Sequence, residues 1–343
     1  MSFPYPQAEP SRAHSPPPGE SAAVRASVDV SVLIVNYNTA HLLHEMWAPI
    51  KRVADNLRLQ VIVVDNASRD DSVSAIAREC PDAQVIVNGT NVGFGRANNQ
   101  ALAASASSRY VLLLNTDAFI APDTLSKTVA YMDAHLDCGL LGVRLVGRDG
   151  VLQPSCRYFP TPWNVFLART GLARFFPKVR MVDDMEWDHA SVRDCDWVPG
   201  CFLLVRREIV NQLGLFDPRY FLYYEELDYC FAVRNAGWKV RYFPDTTVVH
   251  IGGESAKSDA ELTAGGLQIQ ELQIESELLY FRKNHGRSAA LASAVLSTAG
   301  DAILMAKHVL KGKDSSGLSS YWRHAREVWR SFRSTRWGTA PTR

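Results

Sequence analysis

An α/β fold is what this sequence predicts: a mostly parallel, twisted sheet flanked by helices, with a helical C-terminal extension. Three observations carry that expectation. Apolar runs rich in β-branched residues alternate with helical patterns between residues 30 and 115, which argues for parallel strands with helices on both faces. The fourth run, residues 110–114, is apolar throughout, as suits a strand covered on both sides. Three of the four runs end in acidic or amide groups, Asn36 and Asn38, Asp65 and Asn66, Asn115 and Asp117. Open α/β sheets bind ligands beyond such carboxyl ends.

Taken in order, residues 1–28 are rich in Pro and Ser and lack the apolar core of a signal peptide; they read as a disordered leader. Residues 30–35 form the first strand, and Thr39 caps a helix reaching about residue 53. A second strand over 60–64, a helix to about Cys80, a third strand over 83–87, and a helix opening at the Gly93-Phe94-Gly95 turn complete the pattern before the fourth strand. A helix follows Pro122, and short strands flank Gly150. Residues 160–190 show no clean period and read as a loop or an acceptor-side insertion. Residues 196–205 have strand character, 206–213 and 223–236 are helical, 239–243 and 246–249 are short strands ending at His250, and 259–284 is a long polar helix. One catalytic domain is thus expected over 29–286, with an extension over 287–343.

Composition narrows the function classes. The chain has 343 residues, 47% hydrophobic and 21% charged, an ordinary globular balance. A net charge of +1 gives no argument for nucleic acid. The six cysteines are scattered without C-x-x-C or zinc spacing, so reduced thiols and a cytoplasmic location are expected. The first strand is followed by no G-x-G-x-x-G turn, and no G-x-x-x-x-G-K-[ST] occurs. A diphosphate would then be met by a carboxylate-held Mg2+ or Mn2+, since hard cations take oxygen ligands. The acidic run Glu225-Glu226-Leu227-Asp228 offers a carboxylate to accept a proton from an acceptor hydroxyl. Taken alone, the pattern better suits the N-terminus of a helix, where acidic residues meet the macrodipole.

Seven motifs occur in order: VSVLIVNYN, VVDNASxD, NxGFGxANN, LLLNTD, DWVPGCFLLVRR, FDPRYFLYYEELD and VVHIGGES. Together they resemble the family 2 glycosyltransferases of the GT-A fold, in particular the bacterial rhamnosyltransferase-like branch, over about residues 29–281. The resemblance implies an inverting sugar transfer from a nucleotide-sugar donor, deoxythymidine-diphosphate rhamnose or a uridine-diphosphate sugar, to a glycan or lipid-linked glycan acceptor. It puts Tyr37 and Asp65 at the donor's base with Asn66 beside them, Val35 in the donor site, and Gly93, Arg96 and Asn98 against the donor's ribose and diphosphate. Asn115, Thr116 and Asp117 stand at the metal motif, with Asn115 replacing its first aspartate and His250 as a second metal ligand. Glu226 takes the catalytic-base position, with Glu225 the alternative for that role. Trp197 and Gly200 fall near the sugar, and Asp228 on the acceptor side orients the loop or holds an arginine such as Arg234. Competing readings are a catalytically inactive nucleotide- or glycan-binding module and a sugar-phosphate nucleotidyltransferase.

Past residue 287 the resemblance fades. Asp301 and Lys307 interrupt an apolar stretch over 288–310, which argues against a membrane span. From Tyr321 onward six arginines accompany a single glutamate, with Trp322, Trp329 and Phe332 interleaved. Such a helix suits either the surface of an anionic membrane, where a peripheral enzyme would meet a lipid-linked acceptor, or docking on the catalytic domain.

Overall fold

The computed structural model describes residues 28–53, 57–253, 267–312 and 317–343. The leader falls almost wholly outside these residues, as does the start of the helix expected from 259. Within them, β1 (Val28–Asn36), β2 (Leu59–Asp65), β3 (Gln84–Val87) and β4 (Ser108–Asn115) lie parallel in the order β3-β2-β1-β4. They are joined by α1 (Leu43–Val53), α2 (Ser72–Glu79) and α3 (Phe94–Ala103).

The middles of β1, β2 and β4 are almost continuously apolar for a simple reason. Side chains alternate between the two faces, and both faces are covered. Val32, Ile34, Leu112 and Leu114 pack with Met46, Ile76 and Val129 on one side. Leu33, Val35, Val111 and Leu113 pack with Ala97, Ile209 and Tyr229 on the other. A one-residue slip would exchange the two sets, so register is firmly fixed. That register aligns the polar strand ends: Asn36 sits beside Asp65, and Val35 beside Asn115.

Beyond β4 the sheet becomes mixed. The elements are β5 (Ala118–Ile120), α4 (Thr124–Ala134), β6 (Cys138–Val146), β7 (Leu152–Gln153), α5 (Pro162–Thr170), β8 (Arg193–Cys195), β9 (Phe202–Arg206), α6 (Arg207–Leu213), α7 (Glu225–Asn235) and β10 (Lys239–His250). Strand β9 inserts antiparallel between β4 and β6, β10 runs parallel to β6, and β5 closes antiparallel against β10.

Several boundaries differ from expectation. The strand expected over 196–205 begins only at Phe202; Pro199 lacks an N–H for a ladder and Gly200 favours irregular backbone. The two strands expected around 244 are one, β10, whose pairing with β6 shifts register between Phe243 and Thr247, around Pro244. Residues 162–170, expected to be irregular, are helical. Thr161 caps that helix reciprocally with Asn164, Pro162 occupies its first turn, and Gly171 ends it. Helix α7 starts at Glu225 rather than 223, because Tyr223 and Tyr224 both hold left-handed conformations, φ 69° and 67°.

The C-terminal region is a long helix, α8 (Leu267–Leu310), broken at Gly286 (φ 85°), and α9 (Leu318–Ser334). Leu278, Phe281, Ala290, Ala294, Val328 and Phe332 belong to the same apolar cluster as Leu227 and Val233 of α7. Residues on both sides of position 286 therefore share the core that backs the candidate site.

Candidate active site

The carboxyl edge of β1, β2 and β4 carries a closed polar network. The Asp65 carboxylate, 1% exposed, accepts from Asn36 Nδ2 at 2.8 Å, from Ser68 Oγ at 2.6 Å and from the Ser68 amide at 3.1 Å. Thr39 Oγ1 donates to Asn36 Oδ1 at 2.8 Å and lies 2.8 Å from Thr116 Oγ1. Asn66 binds Asn91 Oδ1 through Nδ2 and accepts from Asn88 and the Val92 amide. This ties the loop that leads to Gly93 onto the end of β2. Gly93 itself has φ +89°, and a Cβ there would stand 2.5 Å from the Phe221 carbonyl oxygen. The close approach lets the Phe94 amide donate to that oxygen at 2.9 Å, so only glycine fits. Thr39, expected to cap the first helix, makes no side-chain cap and gives its hydroxyl to Asn36 instead; Ser68 and Asn91 were not singled out as site residues from the sequence. Their signal was their place beside the strand-end amides, in the D-N-A-S and N-V-G turns.

Asp117 and His250 come together as expected. Ala118 pairs with His250 across β5 and β10, and His250 Nε2 lies 3.7 Å from Asp117 Oδ1. Burial lowers the His250 pKa, opposed by the Asp117 charge, so the ring is neutral near neutral pH. Gln153 Oε1 sits 2.9 Å from Nδ1, and Gln153 Nε2 donates to the His250 carbonyl at 2.8 Å. With Nδ1 as donor, Nε2 presents its lone pair toward Asp117, the arrangement of a metal-ligating imidazole with an orienting partner. Asn115 Oδ1 is buried with no hydrogen-bond partner. A carboxylate, an imidazole and an amide oxygen suit a divalent cation that takes its remaining ligands elsewhere. Among the described residues no three His, Cys, Asp or Glu side chains gather as a complete metal site.

Glu225 and Glu226 open α7. Gly200 faces Glu226, a Cβ at that glycine lying 3.4 Å from the Glu226 Cβ. The next residue, Cys201, accepts the Asn115 amide hydrogen at 3.0 Å through its carbonyl. Its thiol pKa is raised by burial and further by the charges of Asp117 and Glu226. The Gly200–Cys201 turn thus stands between the Asn115–Asp117 segment and α7. Burial also raises the Glu226 pKa, with the helix-end amides and Arg157 opposing it. Its Oε2 has no hydrogen-bond partner. A carboxylate with a raised pKa and an open acceptor position has what a general base requires.

Glu225 is the more deeply buried of the two, 4% exposed, with Oε2 unpartnered and its pKa pushed well up by burial and by Glu226. A carboxyl whose pKa rises on folding contributes nothing below the unfolded value, and costs stability as pH climbs above it. Glu225→Gln is therefore expected to raise the melting temperature at pH 8 and leave it nearly unchanged at pH 4. Equal shifts at both pH values would show that ionisation is not the source of the strain.

Other sequence-level assignments meet a different outcome. Trp197 is 6% exposed, its Nε1 donates to the Tyr158 carbonyl at 2.9 Å, and the Arg157 guanidinium covers its ring at 4.0 Å. It is a core tryptophan, with no open face for a sugar. Arg96 donates to the carbonyls of Pro218 at 2.9 Å and Arg343 at 3.0 Å, which occupies the guanidinium expected at the diphosphate. Asn98 is buried and returns its amide to the Phe94 carbonyl one helical turn back. Asp228 does not hold Arg234, which pairs with Asp196. It accepts instead from Lys283 Nζ at 2.6 Å, Asn284 Nδ2 at 2.7 Å and Tyr220 OH at 3.2 Å. Val35 lies in the core, and Tyr37, 9% exposed, packs with Leu272 of α8 and with Phe221 to Tyr223.

The profile described as Glycosyl transferase family 2 matches residues 31–213. An N-acetylglucosaminyl-diphospho-decaprenol L-rhamnosyltransferase of Mycobacterium tuberculosis is 28% identical over 244 residues, covering 66% of this chain and 78% of its own. Rhamnosyltransferase WbbL of Escherichia coli is 25% identical over 240 residues, covering 67% of this chain and 86% of its own. Among solved structures, the mannosyltransferase PcManGT of Pyrobaculum calidifontis, in complex with GDP-Man and Mn2+, aligns with a TM-score of 0.51 at 18% identity, over 92% of this chain and 88% of that one. The family match spans more than half of the 343 residues and covers the ends of β1, β2 and β4; the chain belongs to glycosyl transferase family 2, has a GT-A-type fold and is a glycosyltransferase.

Proposed function

We propose that the chain transfers rhamnose from deoxythymidine-diphosphate rhamnose to a hydroxyl of a lipid-linked glycan, inverting the anomeric centre with the help of a divalent cation. The observation that carries this reading is the convergence of Asp117, Asn115 and Glu226 around the Gly200–Cys201 turn. Rhamnosyl transfer is what the M. tuberculosis and E. coli relatives are named for, and a lipid-linked acceptor is what the first of them is named for.

In this reading the Glu226 carboxylate accepts the proton of the acceptor hydroxyl. The oxygen's electron pair forms the new bond to the anomeric carbon, and the bond to the nucleoside diphosphate breaks on the opposite face. The departing oxygen takes that electron pair, which inverts the centre. Asp117 and His250 would hold the cation, and the unpartnered Asn115 amide oxygen, two residues before Asp117, could join them. Bound there, it supplies positive charge to stabilise the diphosphate as it leaves. Asp65 would accept from the base, with its network keeping the carboxylate fixed.

Thermal stabilisation by deoxythymidine, uridine and guanosine diphosphates, each with and without Mn2+, tests the donor assignment. Binding raises stability by RT ln(1 + [L]/Kd), so weak ligands register at high concentration. The largest shift is expected with deoxythymidine diphosphate, and only with the metal. A larger shift with guanosine diphosphate, or one indifferent to metal, would overturn the donor or the cation assignment respectively.

A further inference from the structure

The α8–α9 pair buries one side and leaves the other exposed. Toward the domain, Ala290 and Ala294 enter the core, and Asp301 is held by Arg169 and by His324 Nδ1 at 2.7 Å. Away from it, Leu291 (41% exposed), Val295 (47%), Val309 (58%) and Leu310 (85%) stay uncovered, as do Ala302 and Ala306. Positions 295, 302, 306 and 309 recur at helical spacing and form one stripe. A trough of about 620 Å3 opens between the helices, walled by Ala302, Met305, Ala306, Val309, Tyr321 and Trp322. Trp322 stands at its rim, 68% exposed. Contiguous apolar surface of this kind marks a contact face.

Charge identifies what meets it. Residues 288–343 contain nine Lys and Arg against three acidic residues. Two of those acids face inward: Asp301 in its ion pairs, and Glu327, 8% exposed and paired with Arg330. The bases face outward. Lys311, Arg323, Arg326, Arg333 and Arg336 are exposed, and none of them makes an ion pair among the described residues. The patch extends onto the turn after α5, because Lys307 Nζ donates to the Thr170 carbonyl at 2.5 Å. That turn exposes Phe175 (61%), Phe176 (40%) and, beside them, Arg174.

We propose that this face docks on the surface of an anionic lipid bilayer, with acyl chains filling the α8–α9 trough, Trp322 at the headgroup level and the arginines on lipid phosphates. Uncovered aliphatic and indole groups beside unpaired arginines match an interfacial helix pair. A second copy of the chain would set like charges against each other, which disfavours self-pairing. Helix α8 has the length and composition to cross a membrane over Gln268–Leu310. The buried Asp301 ion pairs and the core contacts of Ala290 and Ala294 instead hold one side of it on the domain, so the helix lies along the bilayer. The proposal is independent of the donor and acceptor assignment, since it concerns a surface that touches neither Asp117 nor Glu226.

Flotation of the full chain with phosphatidylglycerol-containing vesicles and with pure phosphatidylcholine vesicles tests it, with sedimentation run in parallel. Flotation is expected with the anionic vesicles alone, weakening as salt rises. Arg323→Glu with Arg326→Glu, and Trp322→Ala with Leu310→Ser, each alter exposed positions, and each pair is expected to weaken vesicle binding at least tenfold without changing the melting temperature or the response to deoxythymidine diphosphate. Absence of flotation, or flotation unchanged in both double variants, overturns the proposal. A dimer that the Trp322→Ala, Leu310→Ser variant dissociates, in a chain that ignores vesicles, overturns it in favour of self-association.

Discussion

Glu226→Gln is expected to fold, to bind nucleoside diphosphate as the parent does, and to transfer sugar about 10^2–10^4-fold more slowly. The amide keeps the shape of the side chain and removes its basicity. Little in the fold leans on the charge: Oε2 has no partner to lose, and the amides at the start of α7 can still donate to the amide oxygen of glutamine. The loss should appear in kcat and kcat/KM alike, because proton acceptance is felt in the transition state and not in ground-state binding. A pH profile adds a second mark. Catalysis needs the ionised form, and burial holds the Glu226 pKa above the ordinary value of 4.5. The acid limb of kcat/KM should therefore lie above 4.5 in the parent, the rate falling as pH drops through it, and should vanish from the residual activity of the variant. Near-parental turnover in Glu226→Gln would remove it from the mechanism; Glu225 would then be the base, its raised pKa serving the same chemistry.

The parts of this architecture legible in the sequence are those that repeat. Three strands with both faces buried, β1, β2 and β4, leave continuous apolar runs, and their polar ends mark the edge where Asn36, Asp65 and Asn115 line up. The turn at Gly93 was legible as the opening of α3, but its close approach to the Phe221 carbonyl was not. What depends on contacts between distant residues was not. Nothing local to Trp197 announces that Arg157 will cover its face, nor does α3 announce that Arg96 will be held by the carbonyls of Pro218 and Arg343. Asp228 invited an arginine six residues on, yet Lys283 reaches it from a helix 55 residues away. The mixed second half of the sheet was hidden because short strands such as β5 and β8 carry only three residues each, too few for a period to declare itself. The capped helix at 162–170 was a local signal left unread.

The two buried aspartates at the strand ends separate by what surrounds them, and this sets the outcome of Asp117→Ala. Asp65 closes a network of three hydrogen bonds, so its loss would strand the Asn36 and Ser68 donors. The Asp117 carboxylate, 6% exposed, has the His250 ring at 3.7 Å and the Cys201 thiol near it, and accepts no side-chain hydrogen bond among the described residues. Removing it leaves no donor unsatisfied. A buried carboxylate with so little support is held at a cost, so the metal-free melting temperature of Asp117→Ala should stay level or rise. The Mn2+-dependent thermal shift with deoxythymidine diphosphate should disappear. Transfer should fall on the order of 10^2–10^3-fold, the scale of losing one preorganised stabiliser of developing negative charge. The combination decides the role of the residue: a lower metal-free melting temperature together with an intact Mn2+ increment would make Asp117 a structural carboxylate, and the cation would have to be held without it.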